Sequence, residues 1–240
     1  MCRISVCIAT YNGEKYIEEQ LISILNQLGD CDEVIISDDN STDRTIDIVK
    51  QFKDKRLKIY FNNNGNGYTS NFENALNKAN GYYIFLADQD DIWIENKVQF
   101  CLTQLKDYDF IVSDAIVVGE NKTLISPSFF AVRKCYNSLA GNILKFGYLG
   151  CCMAFKREIL DRALPFPTNH KFCTHDNWLF LIAKTYYKAK ISDEKLIKYR
   201  RHGLNVSTGG FSNNTSVCFK VQYRIYLLFN LLKRMPMRRG

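Results

Sequence analysis

Residues 82–93 read Tyr82-Tyr83-Ile84-Phe85-Leu86-Ala87-Asp88-Gln89-Asp90-Asp91-Ile92-Trp93, an apolar run that ends in three closely spaced carboxylates. A buried strand that delivers Asp side chains to its own carboxyl end builds an oxygen-rich site for a hard divalent cation. Such a cation completes its shell with an anionic ligand such as a diphosphate. The stretch therefore implies a metal-dependent enzyme acting on a phosphorylated substrate.

Upstream, short apolar runs alternate with helical periodicity. Ile4 to Ala9 reads as a strand, and Ile17, Leu21, Ile24, Leu25 and Leu28 share one helix face. Glu33 to Ser37 is a second strand, and Asn40-Ser41-Thr42 offers caps for a helix through Ile46 and Val49. Leu57 to Phe61 is a third strand, closed by the turn-rich Asn62 to Gly67, and Phe72, Ala75, Leu76 and Ala79 mark the helix before Tyr82. The βαβαβαβ order predicts an α/β fold, a Rossmann-like sandwich with a mostly parallel central sheet and helices on both faces. In such sheets ligands sit beyond the carboxyl ends of the strands. Thr10-Tyr11-Asn12, Asp38-Asp39-Asn40 and Asp88 to Asp91 should thus converge on one crevice.

Composition narrows the classes. The 240 residues are 46% hydrophobic, enough for one large domain with a substantial core. The net charge of +7 is uneven, because Lys220, Arg224, Lys233, Arg234, Arg238 and Arg239 crowd the last 21 residues without an acid. The body is close to neutral, which argues against nucleic acid as a partner. Nine cysteines, an odd number without a Cys-x-x-Cys pair, and the lack of a secretory leader point to a reducing cytoplasm. No apolar run approaches the roughly 20 residues that span a bilayer.

The ordered motifs Ile8-Ala9-Thr10-Tyr11-Asn12, Ser37 to Asp43, Asn71 to Ala75 and Leu86 to Trp93 closely resemble those of the family 2 glycosyltransferases of GT-A fold. The Asp-Gln-Asp-Asp-Ile-Trp form is most similar to bacterial rhamnosyltransferase-type members that build surface polysaccharides. The resemblance runs from about residue 3 to 209. It implies that Thr10, Tyr11 and Asn12 line a nucleoside pocket, with Tyr11 against the base. Asp39, beside Asp38, would accept the imide N–H of a pyrimidine. Asp88 and Asp90 would hold Mg²⁺ or Mn²⁺ against the diphosphate, where the cation stabilises the leaving group. The late loop Tyr199 to Ser207 would close over that group, with His202 as a further metal ligand and Arg200 against the diphosphate.

For the second half the resemblance implies an acceptor site. Gly147 to Phe155 reads as a strand with two early glycines, followed by a helix from Arg157, and it is similar to the family's segment beneath the acceptor sugar. Gly150 and Cys151 would leave room for substrate there, although from the segment alone a buried strand with a glycine bulge reads equally well. Thr174 to Leu179 opens an amphipathic helix and resembles the motif in which an Asp is the catalytic base. Asp176 would take that role, with His175 and Trp178 beside the acceptor. The implied reaction is an inverting transfer from a UDP- or dTDP-sugar, rhamnose among the candidates, to a glycan or lipid-linked acceptor. Two rivals are an inverting glycoside hydrolase using Asp90 and Asp176 and a catalytically inactive sugar-nucleotide-binding protein.

The expected layout is one catalytic domain, 1–210, with a nucleotide-sugar half (1–115) and an acceptor half (116–210), then a basic amphipathic tail, 211–240. Val221, Ile225, Leu228, Phe229 and Leu232 share a face of a helix in that tail. Three placements suit it: peripheral contact with the inner face of the plasma membrane, packing on the catalytic domain, or a homodimer.

Overall fold

The computed structural model describes residues 3–63, 65, 67–203 and 216–235. The predicted alternation is present as β1 (Ile4–Thr10), α1 (Ile17–Leu25), β2 (Glu33–Asp38), α2 (Thr45–Gln51), β3 (Leu57–Phe61), α3 (Tyr68–Lys78) and β4 (Tyr83–Asp88). These strands are parallel, in the order β3-β2-β1-β4, and Cys7 lies opposite both Ile35 and Leu86. Val6, Cys7, Ile8, Val34, Ile35, Ile36 and the run Ile84 to Ala87 are all buried. Helices covering both faces explain why these strands read as continuous apolar runs without alternation.

The chain continues through β5 (Ile92–Trp93), α4 (Lys97–Gln104), β6 (Phe110–Gly119), β7 (Leu124–Ser126), α5 (Phe129–Arg133) and α6 (Leu139–Leu144). It ends with β8 (Met153–Lys156), α7 (Glu158–Ala163), α8 (His175–Tyr186), β9 (Ala189–Arg201) and α9 (Val217–Lys233). Beyond β4 the sheet is mixed and runs β8-β6-β9-β5, with β7 on β6. β8 is antiparallel to both β4 and β6 and so joins the two halves into one sheet. β6 runs across residue 115, so the expected boundary between the halves passes through a strand.

Three local expectations change. Gly147 to Phe155 is not one strand: Gly150–Cys152 forms a 3-10 turn and the strand begins at Met153. Gly150 passes so close to the His175 ring that a Cβ there would sit 2.5 Å from Nε2, and the turn carries the chain around that ring. Tyr199 to Arg201 are the last residues of β9, not loop, with Arg200 opposite Val118 on β6. Only His202 and Gly203 of the expected loop's remainder fall among the described residues. The cap of α2 is also displaced. The helix starts at Thr45 with Arg44 as an N-cap that makes no side-chain cap bond, Asp43 just before it accepts the Thr45 N–H at 2.9 Å, and Ser41 and Thr42 are bonded to Asp38 and Asn12.

α9 packs inward through Leu227 and Leu231, while the face read from the sequence, Val221, Ile225, Leu228, Phe229 and Leu232, points outward. Among the described residues no helix is long and apolar enough to cross a membrane, and the eight cysteines described are all free thiols.

Candidate active site

The crevice is built at the carboxyl ends of β1, β2 and β4. Thr10 and Asp38 end their strands fully buried and spend their side chains on each other, Thr10 Oγ1 donating to Asp38 Oδ1 at 2.7 Å. Asp38 also accepts Ser41 N–H at 2.7 Å and Ser41 O–H at 2.6 Å. Both residues therefore shape the loop and do not line a pocket, a correction that follows from their lack of exposed surface. Asn12 is likewise a tie, its Oδ1 accepting Thr42 N–H at 2.8 Å from a left-handed backbone (φ 46°).

Tyr11, 55% exposed, and Asp39 present themselves at the rim. Asp39 donates its N–H to Thr10 O at 2.9 Å, which sets the two loops side by side. Its carboxylate accepts Asn62 Nδ2–H at 3.0 Å and Gly67 N–H at 2.7 Å. From below, Asn71 of α3 donates to Thr10 O at 3.0 Å, which ties that helix motif to the site.

The acidic loop is locked to this rim by a residue that the sequence did not single out. Gln89 Oε1 accepts the Tyr11 N–H and Gln89 Nε2 donates to the Tyr11 carbonyl, both at 2.9 Å, so the side chain imitates a strand partner. Gly13 makes room for it, since a Cβ at that position would lie 2.3 Å from Gln89 Oε1. Asp90 Oδ2 pairs with His202 Nε2 at 2.8 Å, and the imidazole stacks on Tyr16 with ring centroids 4.6 Å apart.

Arg200 does not face a ligand. Only 3% exposed, it donates Nε to Asp90 O (2.8 Å), Nη1 to Glu120 O (3.0 Å) and Nη2 to Glu19 Oε2 (2.6 Å). Its N–H also reaches Asp91 Oδ1 at 3.0 Å. Arg200 is thus a brace for the acidic loop, and the expected diphosphate contact is corrected because every edge of its guanidinium meets protein.

The carboxylates themselves are out of balance. Burial pushes Asp88 up to about 7, with the charges of Asp90 and Asp176 adding to the shift. Burial, then Asp90 and Asp88, hold Asp91 well above the usual carboxylate range. Asp91 is fully buried and its Oδ2 lacks a hydrogen bond among the described residues. Carboxylates crowded into low dielectric are costly unless protonated or matched by a cation. Atoms of Asp88, Asp91 and Cys151 lie within 4.8 Å of one another. The Cys151 thiol is itself pushed far up, by its hydrogen bond with the Cys152 thiol and by burial, so it stays protonated and is a poor ligand for a hard ion. A hard ion such as Mg²⁺ or Mn²⁺ prefers oxygen, which Asp88 and Asp91 of this cluster supply, while Asp90 and His202 are engaged with each other.

Across the crevice stands the N-terminus of α8. Asp176 Oδ1 accepts Asn177 N–H at 2.8 Å and the Thr174 hydroxyl. Its Oδ2 carries no hydrogen bond among the described residues. Tyr68, at the start of α3, belongs to the same space: burial raises its phenol to about 12, helped by the nearby charges of Asp176 and Asp88. The sequence offered no signal for Tyr68 beyond a position after a glycine turn.

The residues expected around the acceptor are mostly supports. His175 stacks on Phe72 at 4.0 Å, is pushed down to about 4 by burial and stays neutral. Trp178 is fully buried and donates Nε1–H to Ala163 O at 2.8 Å. Gly150 and Cys151 are buried too, the glycine making room for His175 and not for substrate. A cavity of about 670 Å³ lies at the opposite end of the sheet, beside Arg3, Asp32 and Trp93, away from all of these groups.

A parallel half-sheet whose strand ends carry an acidic loop, facing an open carboxylate on a helix N-terminus, defines a sugar-nucleotide transferase of GT-A type. The signature of glycosyl transferase family 2 matches residues 5–164, and the chain belongs to that family. It is a glycosyltransferase. It is 30% identical to the dTDP-rhamnosyl transferase RfbG of Shigella flexneri, over 90% of this chain and 77% of that protein. It is also 30% identical to the UDP-Glc:alpha-D-GlcNAc-diphosphoundecaprenol beta-1,3-glucosyltransferase WfaP of Escherichia coli, over 94% of this chain and 91% of that one. Among solved structures, TarS 1–349 of S. aureus in complex with UDP-GlcNAc matches with a TM-score of 0.73 at 22% identity, over 96% of this chain and 66% of that chain. The mannosyltransferase PcManGT of Pyrobaculum calidifontis, in complex with GDP-Man and Mn²⁺, matches with a TM-score of 0.64 at 20% identity, over 97% of this chain and 73% of that chain. At these identities the structural matches establish the fold.

Proposed function

We propose that this glycosyltransferase moves a sugar from a UDP- or dTDP-linked donor, with inversion, to a glycan or lipid-linked acceptor in surface polysaccharide synthesis. The observation that carries the reading is the pair of opposed acidic groups: the crowded Asp88, Asp90 and Asp91 on one side and Asp176, with an open oxygen, on the other. In this reading the nucleoside lies across the rim, its base against Tyr11 and its imide N–H on Asp39. Asp88, Asp90 and His202 would hold Mg²⁺ or Mn²⁺, which supplies charge stabilisation to the departing diphosphate.

Asp176 accepts the proton of the acceptor hydroxyl at Oδ2 while that oxygen attacks the anomeric carbon from the face opposite the diphosphate. Thr174 and Asn177 fix its other oxygen, so the base is oriented before substrate arrives. Tyr68 borders the same space and positions the acceptor. The similarity to RfbG and WfaP favours dTDP-rhamnose or UDP-glucose as donor and a diphosphoundecaprenol-linked sugar as acceptor. A lipid-linked acceptor places the enzyme at the inner face of the plasma membrane.

The test is turnover of dTDP-rhamnose and UDP-glucose with GlcNAc-diphosphoundecaprenol and Mn²⁺, with the anomeric configuration of the product read by NMR. Inversion at the transferred carbon is expected. Retention, or release of free sugar from an oligosaccharide without a nucleotide donor, would overturn the proposal.

A further inference from the structure

The outward face of α9 takes no part in the chemistry described so far. The helix carries no acidic residue and is apolar on two sides. Inward, Leu227 and Leu231 are buried, Tyr223 O–H accepts from Asn177 Nδ2 at 3.2 Å, and Tyr226 O–H accepts the Asn169 N–H at 3.0 Å. Outward, Val217, Val221, Ile225, Leu228, Phe229 and Leu232 are between 45% and 76% exposed. At a rotation of 100° per residue they fill one continuous arc of roughly 120°.

The edges of that arc are cationic. Arg224 flanks one side, with Lys220 beyond it, and Lys233 flanks the other, its ammonium 4.3 Å from the Phe229 ring centroid. Arg224 Nη2 also donates to Leu144 O at 2.9 Å, which joins the stripe to the exposed Leu144 and Lys145.

We propose that this face docks on an anionic lipid bilayer, with the stripe toward the acyl chains and the flanking cations on headgroup phosphates. Charge complementarity decides between occupants. Long cationic side chains beside an apolar stripe reach lipid phosphates without leaving the apolar surface. A two-fold contact between copies would instead set Lys220, Arg224 and Lys233 against their own kind, with no acid on the helix to pair them. The tie from Tyr223 to Asn177, the residue after Asp176, puts the docked face next to the end of α8 that carries the base. The purpose of this surface rests on the reading of a lipid-linked acceptor, but docking is measured without donor or acceptor.

The experiment is co-sedimentation of the full chain with vesicles of phosphatidylglycerol and phosphatidylcholine, against vesicles of phosphatidylcholine alone, at low and high salt. Salt-sensitive binding at least tenfold stronger to the anionic vesicles is expected. The double variant Ile225→Asp, Leu232→Asp should lose it while keeping the thermal unfolding midpoint and nucleotide binding, since both side chains are exposed. Lys220→Ala with Lys233→Ala should weaken it roughly 25-fold, at about fivefold per cation near a charged surface. Absence of vesicle binding, or binding unchanged by the Asp pair, would overturn the proposal. So would a dimer seen by light scattering that the Asp pair dissociates while neither form binds vesicles. Vesicle binding together with transfer only to a water-soluble acceptor would leave the docking in place and remove the lipid-linked acceptor.

Discussion

Replacing Asp176 by Asn removes the proposed proton acceptor while conserving its framework. The Asn Oδ1 still accepts from Thr174 and from the Asn177 N–H, so the first turn of α8 keeps its bonds. General-base assistance is typically worth 10²- to 10⁴-fold, or about 3 to 5.5 kcal/mol of transition-state stabilisation, and the rate of transfer should fall within that range. The structure adds a second expectation of opposite sign. Asp176 is one of the charges that raise Asp88, so its neutralisation eases ionisation of Asp88, and donor binding with a divalent cation should hold or tighten. The assay pairs single-turnover transfer with calorimetry of the nucleoside diphosphate. A rate within tenfold of the parent, or loss of nucleotide binding along with activity, would refute the assignment of Asp176 as base.

Gln89→Ala deletes two 2.9 Å hydrogen bonds between the acidic loop and the Tyr11 backbone. At about 1 kcal/mol each, discounted for exposure, donor affinity should fall roughly tenfold with little change in the pH profile, and an unchanged KM for donor would refute the clamp. The raised Asp88 also predicts a pH dependence of stability without metal. Its folded form stays protonated up to about 7, whereas an unfolded Asp ionises near 4. Its contribution is therefore full below pH ~4 and is lost as pH rises through about 7. The unfolding midpoint of the metal-free protein should drop across that window and recover with Mn²⁺ at the alkaline end. A midpoint that rises across the window, or ignores Mn²⁺, would contradict this.

Much of this architecture is written in local sequence. Strands buried on both faces have to be continuous apolar runs, so Val34 to Ile36 and Ile84 to Ala87 declare themselves, and the spacing of Ile17, Leu21 and Ile24 declares α1. The convergence of Tyr11, Asp39 and Asp88 follows from strand order alone. What local pattern does not carry is the direction of a side chain at a strand end. Thr10 and Arg200 stand in functional motifs yet turn inward, because their partners Asp38, Glu19 and Glu120 come from distant segments. The Gln89 clamp spans 78 residues, and its only local trace is the small size of Gly13. The Gly150 segment misled for a similar reason: the ring it accommodates, His175, lies on another element.

The most direct test of the central claim is calorimetric titration of UDP and dTDP into the purified chain, with and without Mn²⁺, for the parent and for Asp90→Ala. Nucleotide binding should need Mn²⁺ and be lost in the variant, with the preferred nucleotide naming the donor class. Tight binding that is indifferent both to Mn²⁺ and to Asp90 would contradict the role given to the acidic loop, and absence of binding under every condition would contradict the sugar-nucleotide site itself.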